Sequence, residues 1–179
     1  METKEKRTSI TVQAIINAPV QKVWSVWTEP SHIINWNNAS DDWHTPRAEN
    51  DLREGGRFLS RMEAKDSSMG FDFSGTYNKV EEPKLIEYTM DDGRQARITF
   101  EAQGDKTTIR ESFDAENTNS IELQKNGWQA ILDSFKNYVE NLSKQEKIHF
   151  EINLNAPVEK VYTTMIDKDS YKDWTPVFN

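Results

Sequence analysis

Cysteine is absent from the 179 residues, which removes disulfides, thiol nucleophiles and thiolate metal sites together. That absence agrees with a reducing compartment, and the expected location is cytoplasmic. No apolar run approaches the length of a membrane span. The charged opening segment, 1–9, lacks the apolar core of a signal peptide. Positive charge is in deficit: 22 Lys and Arg against 30 Asp and Glu leave a formal charge of −8. A non-specific nucleic-acid or anionic-membrane binder needs a basic surface, so neither partner is expected. There is no Gly-x-Ser-x-Gly, no P-loop and no dinucleotide fingerprint, so no catalytic residue and no cofactor is assigned.

What the chain does have is a repeat. Asn17-Ala18-Pro19-Val20 recurs as Asn155-Ala156-Pro157-Val158. Laid over each other without a gap, 10–36 and 148–174 also put Lys22 and Val23 on Lys160 and Val161, Trp24 on Tyr162 and Trp36 on Trp174. Such self-similarity sets the domain organisation before any other reading. The expectation is a complete domain over 1–143 and the opening elements of a second copy over 144–179. In that second part Ile148, Phe150, Ile152 and Leu154 alternate as a strand, and Val158, Val161, Tyr162 and Met165 form a helical stripe. A stretch this short rarely folds alone. Truncation of a tandem-domain protein is the favoured reading. The alternative is that 148–179 dock on the first domain or on another chain, since strand edges invite exchange between protomers.

Within 1–143 the hydrophobic period changes three times. Ile10, Val12, Ala14 and Ile16 alternate with their neighbours as a half-buried strand. Asn17 is a candidate N-cap and Pro19 suits a helix's first turn. Val20, Val23, Trp24 and Trp27 then fall at helical spacing. Glu29-Pro30 interrupts the helix, and a second short one is expected over 31–36, with loop after it. Period two takes over at Phe58, Ser60, Met62 and Ala64. It continues at Phe71, Phe73, Gly75 and Tyr77, over 85–90, at Ala96, Ile98, Phe100 and Ala102, and at Thr107, Ile109, Glu111 and Phe113. Turn chemistry at Glu54-Gly55-Gly56, Asp66-Ser67-Ser68, Asp91-Asp92-Gly93 and Gln103-Gly104-Asp105 joins these strands into an antiparallel meander. Asn119 with Glu122 has the spacing of a capping box. Trp128, Ile131, Leu132, Phe135, Tyr138, Val139 and Leu142 give the following helix a wide apolar stripe. The fold class is α+β: a curved antiparallel sheet wrapped around a long final helix.

The opening Asn17–Trp24, the run Asp51-Leu52-Arg53-Glu54-Gly55-Gly56, Gly75-Thr76-Tyr77 and Gly127-Trp128 together carry a resemblance. Over 8–142, and again in part over 147–179, the chain resembles the activator-of-heat-shock-protein-ATPase homologue family of the START-like, birch-pollen-allergen-like helix-grip superfamily. The resemblance implies about seven strands gripping the C-terminal helix, with two short helices after the first strand. It also implies a cavity between sheet and helix that often holds an apolar ligand. Members of the superfamily include lipid carriers, hormone receptors, polyketide cyclases and co-chaperones, so fold does not select one role.

Three readings of the candidate chemistry stand beside each other. The first is non-enzymatic binding of a small hydrophobic or amphipathic ligand, with Trp36, Phe58, Phe71, Phe73, Tyr88, Phe100, Trp128 and Phe135 lining the cavity. Aromatics at these spacings equally serve as plain core. Glycine at position 127 costs about 1 kcal/mol relative to alanine, so Gly127 marks either a place where sheet, side chain or ligand comes close to the helix or, equally, room made for a neighbouring tryptophan. The second reading is a protein-interaction or co-chaperone-like module, with a chaperone, or self-association through 148–179, as partner. The third is a cyclase-like or hydrolytic enzyme using cavity carboxylates. His44 beside Asp41, Asp42, Glu49 and Asp51 has metal-capable ligands but no ligand spacing, and a solvated acidic loop accounts for it, so no metal is assigned. Asp91-Asp92-Gly93 offers paired carboxylates for acid–base work and reads about as fully as a hairpin turn. Asp51 with Arg53 offers a pair to orient a polar ligand at a cavity mouth, with a pair fixing a turn the favoured reading.

Overall fold

In the computed structural model, residues 7–145 and 157–160 are described. The chain divides into two units, Met1–Glu146 and Lys147–Asn179. Of the second unit only 157–160 are described, with 158–160 helical. The strand expected at 148–154 and most of the helical stripe lie outside the described residues.

The first unit begins with β1 (Ser9–Ile16), in which every second side chain is buried. Two short helices follow, α1 (Val20–Thr28) and α2 (Pro30–Trp36). Six more strands come next: β2 (Trp43–Asn50), β3 (Arg57–Ala64), β4 (Gly70–Glu81), β5 (Leu85–Met90), β6 (Gln95–Gln103) and β7 (Lys106–Asp114). The long α3 (Ile121–Gln145) closes the unit. The strands form one antiparallel sheet in the order β1-β7-β6-β5-β4-β3-β2. This is the helix-grip arrangement, a curled sheet with α3 as its filling.

Turn residues adopt the geometry their chemistry permits. Gly93 and Gly104 take positive φ in the β5–β6 and β6–β7 hairpins, where glycine carries no Cβ penalty. Gly75 has a different reason. A Cβ on it would fall 2.9 Å from the Phe58 ring and 2.5 Å from the Thr89 carbonyl, so this glycine lets Phe58 lie against the sheet.

The edges of the sheet are tied to the helices. The Gln129 side chain on α3 accepts from the Gln13 amide at 3.3 Å and donates to the Gln13 carbonyl at 3.1 Å. Further along, Glu140 accepts from both the backbone and side-chain nitrogens of Asn17, at 2.9 and 2.7 Å. An amide and a carboxylate on one helix thus satisfy edge-strand groups that would otherwise face water or another strand. On the far side, Tyr77 donates to Asn50 at 2.7 Å, and Asn50 in turn donates to the Thr28 carbonyl at 2.6 Å.

Three local expectations are corrected. Asn17 does not cap α1: Pro19 holds that position without a side-chain bond, because the Asn17 amide is engaged by Glu140. The α3 cap is Ser120, whose hydroxyl accepts from the Leu123 amide at 3.1 Å. Asn119 is held instead by Glu116. The stretch around His44 is not loop but the edge strand β2, which pairs His44 with Glu63 and shifts register between His44 and Arg47. Pro46 lies within that irregularity, where a missing amide hydrogen bond is tolerated.

Candidate functional site

A cavity of about 470 Å3 opens between the concave face of the sheet and the N-terminal half of α3. Its wall is rich in aromatic side chains. Phe58 on β3, Phe73 on β4, Tyr88 on β5 and Trp128 on α3 pack largely edge to face around it, with Phe73–Tyr88 centroids 6.3 Å apart and Phe73–Trp128 5.9 Å apart. Phe71 and Leu123 also line the cavity while remaining 49% and 59% exposed, so they form its rim.

Six of the eight expected wall residues come together here: Trp36, Phe58, Phe71, Phe73, Tyr88 and Trp128. Phe100 and Phe135 do not. They sit deeper, 4% and 0% exposed, and form a closed cluster with indoles. Trp27 lies 5.6 Å from Phe100 and 4.8 Å from Phe135, and Trp36 lies 4.9 Å from Phe135. The wide apolar stripe of α3 is therefore used twice. Its later turns plug the sheet, and its first turns leave a gap.

Gly127 falls in that gap and lines the cavity. A Cβ built on it would meet nothing within 4 Å. The expected close approach of protein to helix is thus corrected: the missing side chain leaves open space.

Sequence reasoning placed Glu111 on the apolar face of its strand without assigning it a role. In the register of β7 it stands opposite Val12 on β1 and Ile98 on β6, and it is 6% exposed. Burial alone raises its carboxyl to about 8. Among the described residues no hydrogen bond or ion pair reaches it. Tyr88, also on the wall, has its hydroxyl held well above the usual phenol range, by burial first and then by Glu111, with Arg94 opposing. The available signal was a charged residue at the third of four inward positions, Thr107, Ile109, Glu111 and Phe113, in an otherwise uncharged alternation.

The other carboxylates on the wall are already engaged. Glu49 pairs with Arg47. Glu116 accepts from the Thr118 and Asn119 amides and from the Asn119 side chain, which holds it below the usual carboxylate range. Gln124 staples the loop before α3, accepting from the Glu116 amide at 2.9 Å and donating to the Asn119 carbonyl at 2.8 Å. Arg94, which lines the cavity, pairs with Asp92 at 2.8 Å.

The remaining candidates occupy surface turns and edges. Asp91 takes both Arg57 and Ser74 as partners, and Arg53 pairs with Asp51 at 2.8 Å. His44 lies 3.9 Å from Glu63 on the exposed sheet edge. His32 shares a hydrogen bond of 2.9 Å with Tyr138, tying α2 to α3. Among the described residues no three metal-capable side chains converge, and no helix is long and apolar enough to cross a membrane. His149 lies outside the described residues.

Comparison with known proteins gives a consistent family. An AHSA1-like protein from Aeromonas hydrophila, solved by NMR, is 42% identical over 80% of this chain and 100% of its own, with a TM-score of 0.73. A protein from Cytophaga hutchinsonii is 53% identical over 80% of this chain and 99% of its own, with a TM-score of 0.66. A Chromobacterium violaceum protein at 21% identity shares the fold, covering 74% of this chain and 98% of its own with a TM-score of 0.67. No curated protein matches the chain. Residues 17–140 match the family described as activator of Hsp90 ATPase homolog 1-like protein. The span of that match runs from the Asn17 clamp to its partner Glu140, and the chain belongs to this family of START-like domains.

Proposed function

We propose that the chain binds a small hydrophobic or amphipathic molecule in the cavity between the sheet and α3, without performing chemistry on it. One observation carries this reading: the aromatic wall stops short of filling the grip, and the gap of about 470 Å3 falls within the range of small-molecule sites, roughly 300–1,000 Å3. Apolar surface left open inside a fold loses about 25 cal/mol for each Å2 not removed from water. An apolar guest recovers that loss. A paired-carboxylate mechanism would need a second free carboxylate beside Glu111, and both Glu49 and Glu116 are already committed to other partners.

Met69, Phe71, Ile121 and Leu123 are exposed, and two of them form the cavity rim. They favour a second reading, a protein-interaction module with a chaperone or another protein as partner.

Native mass spectrometry of the full chain tests both. Retained small-molecule mass, displaced by a lipophilic probe and lost in Trp128→Ala while the protein stays folded, supports the cavity. A ligand-free protein that takes up no lipophilic probe overturns it.

A further inference from the structure

We propose that Glu111 is the polar anchor of the cavity: with the Tyr88 hydroxyl it offers hydrogen bonds to the acceptor oxygen of an uncharged amphiphile, of the ketone, ester or alcohol class. This rests on the cavity reading above and adds to it the chemistry of the ligand's head.

The geometry comes first. Glu111 projects from β7, the strand beside the edge strand β1, between Val12 and Ile98 in register, and lines the cavity. Among the described residues, every fully buried side-chain nitrogen or oxygen has a hydrogen-bond partner. No hydrogen bond reaches the Glu111 oxygens, so these atoms are turned into the cavity rather than sealed in the core. The Tyr88 hydroxyl is in the same position. A polar atom facing an apolar cavity without a protein partner is left to water or to a ligand. Evolution of a well-packed core would replace it; a ligand oxygen satisfies it.

Charge then selects the ligand class. A carboxyl with no cation beside it avoids ionisation in an apolar site, and Glu111 stays largely protonated up to about pH 8. In that form it is a donor. Val12 and Ile98, facing it from β1 and β6, are uncharged. Besides Glu111, the titratable groups of the wall are Tyr77, Tyr88, Arg94, Glu49 and Glu116, and burial holds the Tyr77 phenol above its usual range. Tyr88 stays neutral well beyond this range. Arg94 and Glu49 are already paired with Asp92 and Arg47, and Glu116 is engaged by the Thr118 and Asn119 amides, so among the described residues the wall offers no free counter-ion. A charged head would give up its hydration there without an ion pair to replace it. An uncharged head avoids that cost.

The test uses the full chain and prodan, an uncharged naphthyl ketone whose emission reddens when its carbonyl accepts a hydrogen bond. Methyl decyl ketone, dodecanoate and dodecylamine serve as competitors, and phenanthrene as a probe with no polar head. The expected result is binding of prodan with reddened emission, displaced best by the ketone. Its affinity is level below about pH 7 and falls by up to about tenfold per unit above about 8. Glu111→Gln keeps a donor, so it holds affinity within about threefold and flattens the pH profile, while Glu111→Leu weakens prodan by about fivefold to tenfold and leaves phenanthrene unchanged. An unaltered pH profile in Glu111→Gln overturns the anchor, as does dodecylamine or dodecanoate outcompeting the ketone. If none of these compounds binds, the cavity reading itself fails, and the anchor with it.

Discussion

The indole of Trp128 lies nearly flat on the ring of Phe113, with centroids 3.9 Å apart and planes 14° from parallel. Phe113 is the inward neighbour of Glu111 on β7, and Trp128 directly follows Gly127 on α3. This one stack therefore fixes how far the first turns of α3 stand off the sheet. Further along α3, Phe135 packs with Phe100 against Trp27 and Trp36, two indoles that also line the cavity together with Trp128. The grip is closed at one end and propped open at the other by the same helix.

Trp128→Ala removes both the prop and part of the wall. Loss of a large packed aromatic costs about 3–5 kcal/mol when fully buried; Trp128 is half-buried, so a loss of about 2–3 kcal/mol is expected. Urea unfolding at neutral pH measures it. Trp128→Phe, which keeps a ring against Phe113, is expected to recover at least half. Equal losses in the two variants would show that the stack does not carry the spacing.

Gly127→Ala is expected to act in the opposite direction. Alanine in a helix interior gains about 1 kcal/mol over glycine, and no atom stands within 4 Å of the new methyl group. The thermal midpoint should rise by a few degrees, about 3–6 °C. Because the methyl group enters the cavity, prodan affinity should change in the same variant. A drop in the midpoint would mean that the space beside Gly127 is not open.

Strong periodicities made most of the fold legible. Six strands and two of the three helices carry clear period-two or period-3.6 patterns, and consecutive hairpins give the order from β2 to β7. The pairing of β1 with β7 is a long-range closure that no local pattern encodes. The seventh strand, β2, was not readable, because Trp43-His44-Thr45-Pro46-Arg47-Ala48-Glu49-Asn50 has no alternation and contains a proline. Its place in the sheet comes from tertiary bonds, such as the buried Thr45 hydroxyl donating to the Asn37 carbonyl at 2.5 Å. Helix caps failed for a similar reason: Asn17 and Asn119 have the right chemistry, but Glu140 and Glu116 claim them first. At the candidate site, aromatic residues pointed to the right layer. Depth was hidden, since nothing local separates Phe135, in the plug, from Trp128, at the wall. Glu111 was readable only as a charge in an otherwise uncharged alternation.

Glu140→Ala should loosen the end of β1 without unfolding the domain. It leaves the Asn17 backbone and side-chain nitrogens without their shared acceptor, where water can partly replace it. The expected cost is about 1–2 kcal/mol. Hydrogen exchange at the Asn17 amide should accelerate by about tenfold or more, while amides in the middle of β6 follow only the global change. Gln129→Ala is expected to do the same at the Gln13 amide. If Asn17 exchanges no faster than before, the clamp is not what protects it.

Glu111 also imposes a pH dependence on stability, and its sign is unusual for an acid. Its carboxyl is raised from 4.5 to about 8 in the folded chain, so between those values the folded state holds a proton that the unfolded state has released. Stability from this group is full below about 4.5, declines as pH rises, and is gone above about 8. The slope is about 1.4 kcal/mol per pH unit, and the whole span is on the order of 3–5 kcal/mol. Surface carboxylates held low by their partners, such as Asp91 with Ser74 and Arg57, act in the opposite sense at more acid pH. The wild-type profile alone therefore mixes the two effects. Subtracting it from that of Glu111→Gln isolates the buried acid, because the amide does not titrate. Urea unfolding should find the variant and the wild type of comparable stability near pH 5. The variant should then gain steadily to about pH 8 and hold a constant lead beyond it. A difference that stays flat across this range would place the Glu111 carboxyl in contact with solvent or a cation, and remove the reason for a ligand oxygen to meet it.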